Sequence, residues 1–106
     1  MADFNQNLDL LSQEEEKLQV PKRYTVMFHN DSYTTMEFVV WVVMKVFKTS
    51  QEDAHRFMLR VHQSGKGAIG NFSYDIANTK SNEVMAYARG SGFPLLCTVE
   101  ELPNES

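Results

Sequence analysis

The amino-acid sequence predicts an α+β fold: a single two-layer domain in which a three-stranded antiparallel sheet packs against three helices, in the order β-α-α-β-α-β. Three observations carry that expectation. Apolar residues alternate over a stretch beginning near residue 24. They recur at helical spacing in three later segments. Each helical segment opens on hydroxyl residues, and the last two close on glycine. A length of 106 residues is one domain's worth of chain.

The first strand follows Pro21. Tyr24, Val26 and Phe28 alternate with Arg23, Thr25, Met27 and His29, the period of a strand with one buried face. The turn-forming run His29-Asn30-Asp31-Ser32 ends it. Thr34-Thr35-Met36-Glu37 matches a capping box, in which the Thr34 hydroxyl and the Glu37 carboxylate satisfy free amides at a helix start. The helix runs through Phe38, Val39, Val40, Trp41, Val42, Val43, Met44, Val46 and Phe47. It is apolar on nearly all sides and is expected to be the most buried of the three. Its valines are poor helix formers, so burial has to override propensity. Trp41, the only tryptophan, is expected to pack inward.

A second box, Thr49-Ser50-Gln51-Glu52, opens a helix with Ala54, Phe57, Met58 and Val61 on one face, and Gly65, Gly67 and Gly70 are read as its end. Ala68 to Phe72 reads as a short strand. Ser73 then caps a third helix expected to carry Ile76, Val84, Tyr87 and Ala88 toward the core, with Gly90 and Gly92 as its stop. A last strand over residues 93–102 completes the sheet and holds Cys97 as a small buried thiol.

The formal net charge of −4 is unevenly placed. Residues 1–20 hold five acids and one base, whereas the remainder holds nine of each. Leu8, Leu11 and Leu18 fall on one helical face, but the Gln, Asn and Glu between them favour a mobile arm. The expected division is a flexible N-terminal extension over residues 1–21, a core domain over 22–102 and a disordered C-terminus over 103–106. The balanced core leaves no basic footprint for nucleic acid or an anionic membrane surface. No apolar run approaches the ~20 residues of a bilayer span, and the N-terminus lacks a signal-peptide pattern. One cysteine forms no intrachain disulfide. A cytoplasmic, monomeric protein without a cofactor is expected.

Several chemical motifs fail on context. Gly65-Lys66-Gly67-Ala68-Ile69-Gly70 matches the letters of the dinucleotide fingerprint, but it follows a helix and leads into a strand, the reverse of what a pyrophosphate cradle needs. His55 and His62 are two helical turns apart, ~10.5 Å of rise, too far to share a zinc ion, and neither His29 nor Cys97 supplies a recognised ligand spacing. Cys97 lies in an apolar strand, and Asp31 and Glu37 are explained by helix-start electrostatics. No acid, base and nucleophile assemble, so no enzyme is expected. What remains is a set of hydrogen-bonding groups beside apolar ones. Asn30 and Asp31 stand before the first helix with Thr34 and Met36, and the second helix ends with Met58, Val61 and His62. Carboxylate, amide oxygen and neutral imidazole are acceptors suited to an ammonium group, and a Met-lined pocket accepts a large apolar side chain. On periodicity alone, Met36 and Met58 are core residues and Asn30-Asp31 is a turn.

Asn30-Asp31-Ser32-Tyr33-Thr34-Thr35-Met36-Glu37-Phe38-Val39 closely resembles the N-D-D-x-T-P-M-E-F-V signature of the ClpS family, the bacterial adaptors of the N-end rule. Met58-Leu59-Arg60-Val61-His62-Gln63-Ser64-Gly65 is similar to the family's M-L-x-V-H-x-x-G. Ala77-Asn78-Thr79-Lys80 resembles A-E-T-K, and Pro94-Leu95-Leu96-Cys97-Thr98 resembles P-L-x-C-T. The resemblance implies a protease adaptor that binds a substrate's free N-terminal Phe, Leu, Trp or Tyr and delivers it to the N-terminal domain of a Clp-family AAA+ ATPase, ClpA or ClpC. It implies that Asn30, Asp31, Ser32 and His62 meet the α-amino group. It also implies that Thr34, Met36, Val39, Met58, Val61 and Leu95 line the side-chain pocket, with Met36 as its gate, and that Asp75 and Lys80 face the ATPase. The N-terminal extension of the family maps to residues 1–21.

Two departures bear on function. Ser32 replaces an aspartate, which weakens attraction for an ammonium by roughly 0.5 to 1 kcal/mol at an exposed site. Thr35 replaces a proline, and the expectation is a first helical position freed from a fixed φ. A module of the same fold that modulates the ATPase without reading N-terminal residues is the alternative.

Overall fold

The computed structural model describes residues 20–104. Strand β1 (Tyr24–His29) lies at the centre of a three-stranded sheet of order β2-β1-β3, antiparallel to both β2 (Lys66–Phe72) and β3 (Leu96–Glu101). Helix α1 (Met36–Phe47) and helix α2 (Gln51–Ser64) separate β1 from β2, and helix α3 (Tyr74–Gly90) separates β2 from β3. The expected order of elements is therefore the observed one. The expected N-terminal extension lies outside the described residues except for Val20 and Pro21, which are exposed and without regular structure. The expected disordered C-terminus likewise falls outside them at residues 105–106.

The alternation in β1 does what its period demands. Val26 and Phe28 are fully buried, and Phe28 meets the Phe57 ring edge-on at 5.1 Å and the Phe47 ring at 6.1 Å. Burial of this kind gives about 25 cal/mol per Å² of apolar surface, so these two side chains stabilise the centre of the sheet. β2 carries one extra residue. Tyr24 faces Phe72 while Val26 faces Ile69, and Gly70 takes up the bulge at φ 89°, a conformation costly to any residue with a Cβ. The Thr25 hydroxyl, buried on the opposite face from Val26, donates to the Ile69 carbonyl at 3.0 Å.

Five of the twelve residues of α1 are buried, against four of fourteen in α2 and four of seventeen in α3, so it is the most buried helix. It is nevertheless one-sided. Phe38, Val39, Val42, Val43 and Val46 form its inner stripe, and Trp41 falls on the flank, 48% exposed, edge-on to Tyr87 at 5.3 Å. The inward packing expected of Trp41 is thus corrected to a surface aromatic pair. On α3 the buried positions are Ala77, Ser81, Val84 and Ala88, while Ile76 and Tyr87, expected inside, face out. Small residues let this helix lie close to its neighbours, where larger side chains do not fit.

Both capping boxes are displaced by one residue. The N-caps are Thr35, which accepts from the Phe38 amide at 3.1 Å, and Ser50, which accepts from the Asp53 amide at 3.1 Å. Of the three glycines read as the end of α2, only Gly65 caps it, at φ 87°; Gly67 and Gly70 belong to β2, which starts at Lys66 rather than Ala68. The last strand starts at Leu96 rather than Phe93, because the preceding residues bond to the end of α3. The Phe93 amide donates to the Ala88 carbonyl at 2.8 Å, and Arg89 Nη1 donates to the carbonyls of Phe93 at 2.9 Å and Leu95 at 2.8 Å. Cys97 is buried, and burial pushes its thiol up to about 12 against a partial offset by the Arg89 charge, which removes thiolate chemistry at neutral pH. Among the described residues no helix is long and apolar enough to cross a membrane, and no cluster of three metal-ligating side chains occurs.

Candidate functional site

The end of β1 and the end of α2 meet because of β-pairing and one glycine. His29 pairs with Lys66, and the next amide, that of Asn30, donates to the Gly65 carbonyl at 2.9 Å. Gly67, opposite Phe28, has no room for a side chain: a Cβ there would stand 2.9 Å from Val61 Cγ2 and 3.2 Å from Phe57 Cε1. β2 therefore lies against α2. Asn30 is set beside the last turn of α2, which carries His62.

The loop from Asn30 to Thr35 is organised by Asp31. Its Oδ1 accepts from the amides of Tyr33 at 2.8 Å and Thr34 at 2.7 Å, and its Oδ2 accepts from the Thr34 hydroxyl at 2.8 Å. Burial raises the Asp31 pKa, but these bonds and the nearby Arg89 charge outweigh it and hold the carboxyl below its usual range. Three acceptor sites of about four on a carboxylate are thereby occupied within the loop. Asp31 thereby shapes the turn. Thr34, the expected cap, serves this turn instead, and the cap passes to Thr35.

Thr35 sits at φ −76° and ψ 151°. That φ is already within proline's range, so the expected release of the first helical position does not occur; the threonine is the N-cap, and its hydroxyl supplies a bond that proline lacks. Thr35→Ala is expected to cost about 1 kcal/mol in denaturant unfolding, and Thr35→Pro no more than that, since proline loses the same cap and keeps the φ.

Loop, α1 and α2 enclose a cavity of about 410 Å³. Its apolar part is Val39, Met58 and Val61, all buried in the core. Its polar rim is Asn30, Asp31, Ser32, Thr34, Thr35 and His62, and Met36, 46% exposed, stands at the lip. Nine of the ten residues expected to hold an N-terminal amino acid thus line one cavity. Leu95, the tenth, is fully buried and is not part of the lining. Tyr33 and Thr35 line it as well, and the sequence had not singled them out as contacts; an exposed aromatic beside a polar turn was the available signal. Asp75 and Lys80 are elsewhere, on α3. Asp75 is exposed in its first turn, whereas Lys80 Nζ donates to the Val46 carbonyl at 3.1 Å and lies 5.5 Å and 5.6 Å from the Phe47 and Phe72 ring centres.

The model of the family described as ATP-dependent Clp protease adaptor protein ClpS matches residues 19–98, which span every element except the end of β3. The chain belongs to the ClpS family. ClpS proteins are adaptors of the Clp protease and not catalysts. The chain is 48% identical over 88 residues to the ATP-dependent Clp protease adapter protein ClpS of Lawsonia intracellularis, covering 83% of this chain and 81% of that one. It is 45% identical over 96 residues to the ClpS of Burkholderia mallei, covering 91% and 92%. A solved structure described as Agrobacterium tumefaciens ClpS2 bound to L-phenylalaninamide superposes with a TM-score of 0.75 at 39% identity, over 77% of this chain and 99% of that one. A Clp adaptor implies a Clp ATPase as partner.

Proposed function

We propose that this ClpS protein binds the free α-amino group and large hydrophobic side chain of a substrate's first residue, Phe, Leu, Trp or Tyr, and hands the substrate to a Clp ATPase in the cytoplasm. One observation carries the reading: a single cavity joins acceptor groups at its rim to a buried apolar floor. An ammonium has three donors. Asn30, Ser32 and His62 are the side chains available for them, with the Asp31 charge close by and three of its about four acceptor sites engaged in the loop. Val39, Met58 and Val61, with Thr34 and Met36 at the mouth, receive the side chain. A volume of about 410 Å³ is in the range of small-ligand sites. The phenylalaninamide bound to Agrobacterium ClpS2 presents the same chemistry, a free amine and an aromatic side chain. An internal residue offers one amide donor in place of three and leaves acceptors unpaired, which is the basis for rejecting it. In this reading Asp75 and Lys80 belong to the surface that meets the ATPase, ClpA or ClpC, and residues 1–21 form a tether. Lys80 takes part through its aliphatic stem, since its ammonium is held by Val46.

The test is fluorescence anisotropy with labelled peptides beginning with Phe, Leu, Tyr, Trp or Ile, each free and N-acetylated. Free aromatic and leucyl peptides are expected to bind, and Ile and all acetylated forms to bind at least tenfold more weakly. Equal binding of free and acetylated Phe peptides would overturn the reading. The replacement of an acid by Ser32 favours one alternative, an ATPase-modulating module without N-terminal recognition; failure of every free peptide to bind, with ATPase modulation intact, is its signature.

A further inference from the structure

Tyr33 is 77% exposed and borders two hollows. One is the cavity already described. The other, more open and about 520 Å³, has Arg89, Gly92, Phe93 and Pro94 as its remaining walls. These walls are held in place. Gly92, at φ 81°, turns the chain back over the end of α3; its amide donates to the Arg89 carbonyl at 3.1 Å, and the Phe93 amide donates to Ala88. Arg89 is oriented by the two bonds that its Nη1 gives to the Phe93 and Leu95 carbonyls. Those carbonyls satisfy donors without cancelling the charge. Among the described residues no carboxylate forms an ion pair with Arg89, and no acceptor engages its Nε or Nη2, the edge of a guanidinium that pairs with a carboxylate through two parallel bonds.

We propose that this hollow is a second substrate subsite, which takes the side chain of the residue following the N-terminal one, and that Arg89 selects an acidic side chain there. The proposal rests on the function assigned to the first cavity. Successive side chains of an extended chain point to opposite sides. A peptide anchored by its amine and first side chain in the cavity can lay its second side chain against the hollow that shares Tyr33 as a wall. The charge of Arg89 already bears on the first site, where it helps to keep Asp31 ionised. Residues 21–106 hold nine acids and nine bases, so a gain from an acid at the second position cannot come from a general positive field of the domain.

The full chain is titrated at low salt with labelled free peptides that differ only in Asp or Asn at position two, and with a third that carries Asp at position four. The Phe-Asp peptide is expected to bind about threefold or more tightly than Phe-Asn, a gain that shrinks at high salt, and Asp at position four is expected to add nothing. Arg89→Gln is expected to remove the difference while Phe-Asn still binds, and Arg89→Lys, which keeps the charge but not the fork, to retain part of it. Should Arg89→Gln unfold through loss of its carbonyl bonds, the wild-type comparison of positions two and four decides alone. Equal affinity for Phe-Asp and Phe-Asn, or an equal gain at position four, overturns the subsite. Absence of binding by every free peptide overturns the first-cavity reading and the subsite with it, whereas binding of Phe-Asn without gain from Asp overturns the subsite alone.

Discussion

Alanine at His62 is expected to lower the affinity for a peptide with a free N-terminal phenylalanine by about 10- to 100-fold, and alanine at both Asn30 and His62 to bring binding below detection. A hydrogen bond to a charged group contributes about 1.5 to 3 kcal/mol, and each 1.4 kcal/mol is tenfold in affinity. His62 is the polar side chain that α2 presents to the cavity, and Asn30 is held near it by its amide bond to Gly65. Both side chains are exposed, so folding stability should change by no more than about 0.5 kcal/mol. Anisotropy titration beside a thermal melt separates the two effects. Full affinity in the double variant would mean that the amine is not held at this rim.

Phe28→Ala should destabilise the domain by about 3 to 5 kcal/mol, a large part of the 5 to 15 kcal/mol typical of a folded domain. Phe28 is fully buried in the central strand and ties α1 to α2 through the Phe47 and Phe57 rings. The cavity depends on that connection, because Gly67, paired with Phe28, is the residue that seats β2 against Phe57 and Val61. Peptide binding should therefore fall with stability and return when the temperature is lowered toward the stability maximum. Urea unfolding measures the first effect. An unchanged midpoint would show that the core does not centre on this ring.

The caps and the α3 face show where a reading of the sequence runs short. Adjacent hydroxyl residues, Thr34-Thr35 and Thr49-Ser50, offer two frames for one cap, and the capping-box pattern prefers the earlier in both. In the first case Asp31 settles the choice by binding the Thr34 amide and hydroxyl. In the second, Thr49 Oγ1 is buried without a hydrogen-bond partner, and Ser50 caps. On α3, hydrophobicity ranks Ile76 and Tyr87 above Ala77 and Ser81, but burial follows the fit between surfaces rather than the affinity of a side chain for oil. Leu95 is a similar case: its strand motif marks it as a pocket residue, and the Arg89 bonds draw its segment toward the end of α3, where it is buried.

By itself the sequence determined the order of the six elements, the inward face of β1 and α2, the concentration of net negative charge in the first twenty residues, and the family to which the chain belongs. All of these depend on local periodicity, composition and short motifs, which neighbouring residues express without help from the rest of the chain. Tertiary structure decided what depends on residues far apart in the sequence. It brought Asn30 to His62 through the bond to Gly65, and it gave Asp31 the task of organising the loop. It also placed Arg89 in a second hollow that shares Tyr33 with the cavity. The physical reason is the same in each case: a polar group's partners are fixed only when packing decides which of its competing donors and acceptors lie within reach.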